Sequence, residues 1–214
     1  ASRWEDFLDI FYATPAVFAR REGSGFGIPM LVVTLVIGVL FLVNAGVLQP
    51  MMDAEMTRRM AKNPNMTPEM VEKGRAIGMT IAKIAGFIFI PITIFCVGLA
   101  LWLCGKIVDA KESFAAALMV ASYAYVPKIL ESVLGGVQGL LMDPASLNGR
   151  YRISLGIGRF LDPDTTSPML LALLGRVDLS TIWATVLLAI GLSVVGKIPR
   201  SRAALAAVAV WVIG

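Results

Sequence analysis

The chain has 214 residues, 57% of them hydrophobic and only 16% charged, with a mean hydropathy of +0.76. A water-soluble domain carries about 25% charged residues, so this composition excludes an ordinary soluble enzyme. No histidine is present, which excludes His-dependent triads and removes the commonest metal ligand. The net charge of +4 is scattered and lacks the basic patch of a nucleic-acid binder.

In chain order, Ser2-Arg3-Trp4-Glu5 reads as a capping box. Trp4, Phe7, Leu8 and Phe11 then recur at i, i+3, i+4 and i+7, with Arg3, Glu5, Asp6 and Asp9 between them. This pattern predicts an amphipathic helix lying in the membrane surface; a helix packed on the protein's own loops gives the same periodicity. Thr14-Pro15 predicts a second short helix, with Thr as cap and Pro at the first helical position. Gly23 to Gly27 forms the hinge into the first long apolar run.

Ile28 to Leu48 and Ile84 to Cys104 carry no charge. Runs of about 20 apolar residues match the hydrocarbon core, and backbone groups in lipid require helices there. The first run is too long for a signal-peptide core. We read spans near 28–48, 77–104, 113–142, 180–197 and 201–214. The expected fold is all-α, a polytopic transmembrane bundle of about five spans occupying 28–214, with residues 1–27 as interfacial helices on the cytoplasmic side. The last run is short, so the natural chain is expected to continue past Gly214. Arg20 and Arg21, Lys106 and Lys111, and Lys197, Arg200 and Arg202 fall on one side, which the positive-inside rule makes cytoplasmic, together with the N-terminus.

After Pro50 a loop is expected, with Met52, Met56 and Met60 at four-residue spacing beside Arg58, Arg59 and Lys62. Thioethers favour Cu(I), but they equally suit adaptable packing. Thr67-Pro68 caps the next helix. Gly74, Gly78, Ala82 and Gly86 place small residues at every fourth position, where another helix can approach closely. Lys83 is positioned to snorkel. Cys96 and Cys104 lie eight residues apart on one helix, about 12 Å of rise, and so do not bridge each other.

The third span is the most informative. Asp109 and Glu112 suggest a capped start, and the helix crosses only if it continues through Pro127. Tyr123, Pro127, Lys128, Glu131 and Gln138 then define a polar face at mid-membrane, with Gly135 and Gly139 as a further small-residue contact. Ionisable groups there face a bundle interior or a cavity; the alternatives are a Lys128–Glu131 pair that partly neutralises itself and a helix that breaks at Pro127 near the surface. The loop 143–179 is polar with short apolar pieces. Asp162-Pro163-Asp164 offers two carboxylates to a hard cation, or a plain turn. Gly156 and Gly158 lack the third Gly of a dinucleotide fingerprint. Ser167-Pro168 caps a short helix, and Asp178 caps the fourth span. No Walker-A loop, paired-Cys zinc spacing or metalloprotease motif occurs. No catalytic residue, cofactor or metal site is therefore expected.

Four stretches carry a resemblance: Thr14-Pro15-Ala16-Val17-Phe18; Lys111-Glu112-Ser113-Phe114 through Tyr123 to Pro127; Asp178-Leu179-Ser180-Thr181-Ile182-Trp183; and Gly196 through Ala203. In their order and spacing they resemble a bacterial member of the Yip (Ypt/Rab-interacting-protein) family of five-span membrane proteins. The resemblance implies a non-enzymatic scaffold or accessory subunit in the bacterial inner membrane, with no catalytic residues to assign. Its partners would be the lipid bilayer and another membrane protein, such as an ABC-type export system, or a copy of itself. Eukaryotic relatives bind Rab-type GTPases through a cytosolic N-terminal domain; the short N-terminal segment here argues against that partner. A small-molecule or ion permease using the third-span polar face is the alternative.

Overall fold

The computed structural model describes residues 2–61, 67–149 and 151–213, with the backbone alone at some positions of α4 and α5, Arg59, Ala82 and Lys83 among them. Lys62 lies outside the described residues. Ten α-helices follow in order: α1 Asp6–Asp9, α2 Thr14–Arg21, α3 Gly27–Val43, α4 Ala45–Ala61, α5 Pro68–Ile107, α6 Phe114–Ala124, α7 Val126–Leu141, α8 Pro168–Gly175, α9 Leu179–Gly196 and α10 Arg200–Ile213. Short 3-10 turns occupy Pro144–Ser146 and Ile157–Phe160. The all-α membrane bundle expected from the sequence is what the chain forms.

Among the described residues, three helical stretches are long and apolar enough to cross a bilayer: Ile84–Ile107, Phe114–Leu141 and Leu179–Gly196. These are fewer than the five expected. The expected span 28–48 is broken at Asn44, where α3 and α4 meet at a bend of 74°. A fourth span exists only if this bent pair is one. The expected segment 201–214 is helical as α10, Arg200–Ile213. The expected loop after Pro50 is also corrected, because α4 carries the helix on to Ala61.

The bend has a physical cause. Asn44 is a polar amide inside an apolar run, and its Nδ2 donates to the Ser132 carbonyl oxygen at 3.0 Å. A Cβ at Gly136 would fall 2.3 Å from Asn44 Oδ1. The side chain thus finds its partner on α7, where a larger residue would exclude it. The third span does continue past Pro127, interrupted only at Tyr125. Proline has no N–H to offer the carbonyl four residues back, but it is tolerated in a first turn, and Pro127 is the second residue of α7.

The chain divides into two compact units. One comprises the chain up to Val36, Ile88–Ile129 and the chain from Ile182 on; the other comprises Ile37–Phe87 and Leu130–Thr181. At the centre of the first lies α6, buried at every residue from Ala116 to Ala124. Its small side chains allow neighbours on all sides, and glycines on those neighbours complete the fit. A Cβ at Gly98 of α5 would lie 3.1 Å from the Leu118 Cα, and one at Gly191 of α9 would lie 2.4 Å from Val120 Cγ1.

In the second unit, Gly38 of α3 receives the Phe87 ring, and a Cβ at Gly86 would lie 4.0 Å from the Gly38 Cα. Val47 of α4 occupies the notch at Gly139 of α7.

Gly98→Ala should destabilise the folded chain by about 1–3 kcal/mol, the cost of overpacking. Gly78→Ala adds a methyl where nothing described lies within 4 Å and should be neutral or stabilising by up to about 1 kcal/mol. Thermal unfolding in detergent checks the contrast.

Candidate functional site

Charged side chains are costly to bury unless paired. Asp6, Glu112 and Asp178 are nevertheless 0%, 3% and 4% exposed. Asp6 opens α1, Glu112 lies just before α6 and Asp178 just before α9, and each is accommodated differently.

Asp6 is held by two arginines. Arg20 Nη2 reaches its Oδ1 at 2.8 Å and Arg21 Nε its Oδ2 at 2.5 Å. Tyr123 Oη of α6 also donates to Oδ2, at 3.4 Å. Arg20 is shared with Asp9. The α1–α2 hairpin that places these groups is closed locally. Ser2 N donates to Glu5 Oε2 and Glu5 N to Ser2 Oγ, the reciprocal pair of the capping box. The expected amphipathic helix, however, shrinks to the single turn Asp6–Asp9. Thr14 is not the cap of α2: its hydroxyl donates back to the Ile10 carbonyl oxygen at 2.7 Å, and Ala13 precedes the helix.

The aromatic stripe divides. Phe7 packs on Tyr123 with ring centroids 5.5 Å apart, and Phe11 meets the Trp183 ring edge-on at 5.2 Å. Trp4 and Leu8 stay exposed, at 70% and 66%.

Glu112 occupies the short α5–α6 loop. A Cβ at Gly105 would strike its Oε1 at 2.3 Å, and one at Gly196 would come within 3.1 Å of its Oε2. The carboxylate is therefore wedged between two glycines. Neither oxygen has a hydrogen-bond partner among the described residues. Lys106 Nζ stands 3.9 Å away but donates to the carbonyls of Ala110 and Glu112. Burial pushes the Glu112 carboxyl above the usual range, and Lys106 offsets only part of this.

The expected cap at Asp109 and Glu112 is corrected. Ser113 Oγ accepts from Ala116 N, while Asp109 has a φ of 61° and pairs with Arg202 at 3.4 Å. Lys111 N donates to the Gly196 carbonyl oxygen, and Lys197 pairs with Glu22 at 3.1 Å. The three basic stretches grouped from the sequence thus share one end of the first unit.

In the second unit, Ser180 Oγ lies 2.5 Å from Glu131 Oε2 and 2.7 Å from Asp178 Oδ1. Asp178 Oδ1 also accepts from Ser180 N at 2.9 Å, the capping bond expected at the start of α9. The Ser180 hydroxyl thus stands between two carboxylates. Asp178 Oδ2 is buried without a hydrogen-bond partner among the described residues, as is Gln138 Oε1.

The residues of the polar face expected on the third span divide between the two units. Tyr123 serves Asp6 in the first unit, and Glu131 serves Ser180 in the second. Lys128 is half-buried near the start of α7, beside the buried Pro127. Of the small residues, Gly86 and Gly139 sit at close approaches and Gly135 has Ile153 Cδ1 at 3.4 Å, while Gly74 and Gly78 meet nothing described within 4 Å. The Ala82 side chain lies outside the description. Met52, Met56 and Met60 follow one another along α4. Asp162 Oδ1 accepts from Asp164 N, and Asp164 is taken by Arg58 at 2.6 Å, so these carboxylates are engaged in a turn and an ion pair. Cys96 and Cys104 are both free.

Sequence reasoning missed Asp6 and Ser180. Asp6 looks like one more polar position on an amphipathic stripe, and its arginines are 14 and 15 residues away. Ser180 beside a capping Asp carries no signal for a partner on another helix.

Two measurements follow. Asp6→Ala removes the carboxylate that Arg21 pairs with, while Arg20 keeps Asp9 and about a third of its side chain in solvent. A loss of about 2–3 kcal/mol is expected, read as a lower Tm. The folded-state pKa of Glu112 lies above its unfolded value, so its contribution is complete at low pH and is lost as pH rises through the folded value. Glu112→Gln, which has no proton to lose, should therefore flatten the fall of Tm that accompanies a rise in pH through the folded-state value, with Tm measured as a function of pH.

Neither the curated proteins nor the solved structures contain a match to this chain. The family model described as the Yip1 domain matches residues 12–214, and the chain belongs to that family of membrane proteins.

Proposed function

We propose that the chain is a non-enzymatic scaffold or accessory subunit of a membrane complex, holding a partner helix or a second copy of itself against α5. The observation that carries this reading is the outward face of α5. Only 17% of the most apolar window within Ile84–Ile107 is buried, against 56% for Phe114–Leu141. Lipid suits the large apolar side chains there. Gly74 and Gly78, with no described atom within 4 Å, suit the close approach of another helix.

The segment 1–27 is read as lying on the cytoplasmic side, in a bacterial inner membrane, because the basic loops share one end. The partner class suggested by the family resemblance is an ABC-type export system, or machinery of membrane organisation and trafficking. A permease is the second reading, favoured by the Glu131–Ser180–Asp178 cluster.

Affinity purification from native membranes separates the two. The scaffold reading expects a co-purifying membrane protein or a stable oligomer. Gly78→Leu should reduce the co-purified amount at least threefold with Tm unchanged, and Glu131→Gln should leave assembly intact. A monomeric, partner-free protein whose solute flux in vesicles disappears with Glu131→Gln supports the permease instead.

A further inference from the structure

We propose that the 3-10 turn Ile157–Phe160 and helix α8 together form a membrane-dipping element that seats its apolar side chains in the lipid interface beside the entry of α9. Neither belongs to a span, yet both expose large apolar groups. Phe160 and Met169 are 80% and 76% exposed, and Leu173, Leu170 and Ile157 are also exposed. A water-facing loop has no use for such a surface, and contiguous apolar patches mark interaction sites.

The connectivity says what covers it. The loop leaves the apolar stretch Phe114–Leu141 and enters the apolar stretch Leu179–Gly196, so both its ends are anchored at the bilayer boundary. It is also pinned internally to the second anchor. Ile157 N donates to the Val177 carbonyl oxygen at 3.2 Å, and Gly156 bridges Asp178. Val177 is two residues from Leu179, at most about 7 Å of chain. The interfacial layer is itself about 5–7 Å thick on each side. Leu179 and Ile182 are already exposed, as expected of side chains that meet hydrocarbon from the first turn of α9. Ile157 therefore lies within the headgroup layer.

The turn and the helix are locked to each other by Tyr151. A Cβ at Gly175 would fall 2.3 Å from the Tyr151 ring, and one at Gly158 would lie 3.2 Å from Tyr151 Cβ. This wedge keeps the aliphatic side chains turned outward. Arg159, stacked 5.7 Å over the Phe160 ring, supplies a cation at the depth of lipid phosphates, the arrangement that favours interfacial seating.

The test uses the full chain reconstituted in vesicles of phosphatidylcholine and phosphatidylglycerol. Phe160, Met169 or Leu173 is replaced in turn by the photocrosslinker p-benzoylphenylalanine, with exposed Thr165 as the control position. Irradiation followed by mass spectrometry should give chain–lipid adducts at the three positions in at least fivefold excess over Thr165. Adduct yields equal to those at Thr165 would mean a surface in water, and covalent dimers in place of lipid adducts would mean a second copy seated there. Either result overturns the proposal.

Discussion

A carboxylate with no exposed surface must be compensated, and Asp6 is the point at which this constraint organises the first unit. Its two oxygens take Arg20 and Arg21 from α2 and the hydroxyl of Tyr123 from α6. Those contacts close the N-terminal hairpin on itself and attach it to the most buried helix of the unit. Once the hairpin is attached, Phe7 and Phe11 have only one place to go, against Tyr123 and Trp183. Phe18 completes the contact from α2, edge-on to Tyr123. Local closure, ionic compensation and aromatic packing therefore depend on the same carboxylate.

Tyr123 can serve Asp6 because α6 is central, and α6 is central because its surroundings are small. Gly98 and Gly191 let α5 and α9 come into contact with Leu118 and Val120. Within a bilayer this is the physically favoured route, since helices gain little from burying apolar surface against each other and much from close van der Waals contact. The same economy of volume holds Glu112 between Gly105 and Gly196, which couples the α5–α6 and α9–α10 loops. The second unit uses small residues to a different end: Gly136 and Gly139 admit Asn44 and Val47, and so fix the bend between α3 and α4.

Fold class was legible because it rests on composition and run length, which need no knowledge of contacts. The break at Asn44 was not. Asn44 sits unobtrusively in a charge-free run, and its effect depends on a carbonyl 88 residues away. The helical course of 51–61 was hidden by Pro50, which suggests a break but lies inside α4. Pro127 was legible, since a proline in a first turn costs a helix little. Within the candidate site, Glu131 and Asp178 stood out as ionisable groups beside apolar runs, and the capping role of Asp178 followed from position alone. That Ser180 joins them, or that Asp6 finds Arg20 and Arg21, comes from tertiary pairing that no local pattern encodes.

The central claim is that the N-terminal hairpin is part of the packed fold through Asp6 and does not lie free on the membrane surface. A double-mutant cycle between Asp6→Asn and Tyr123→Phe, measured by denaturant unfolding in lipid–detergent bicelles, tests it most directly. Side chains in one hydrogen-bonded network couple by about 0.5–3 kcal/mol, so the account predicts that the two losses are non-additive by at least about 0.5 kcal/mol. Strict additivity would contradict it, because it would mean that α1 and α6 do not share the Asp6 carboxylate.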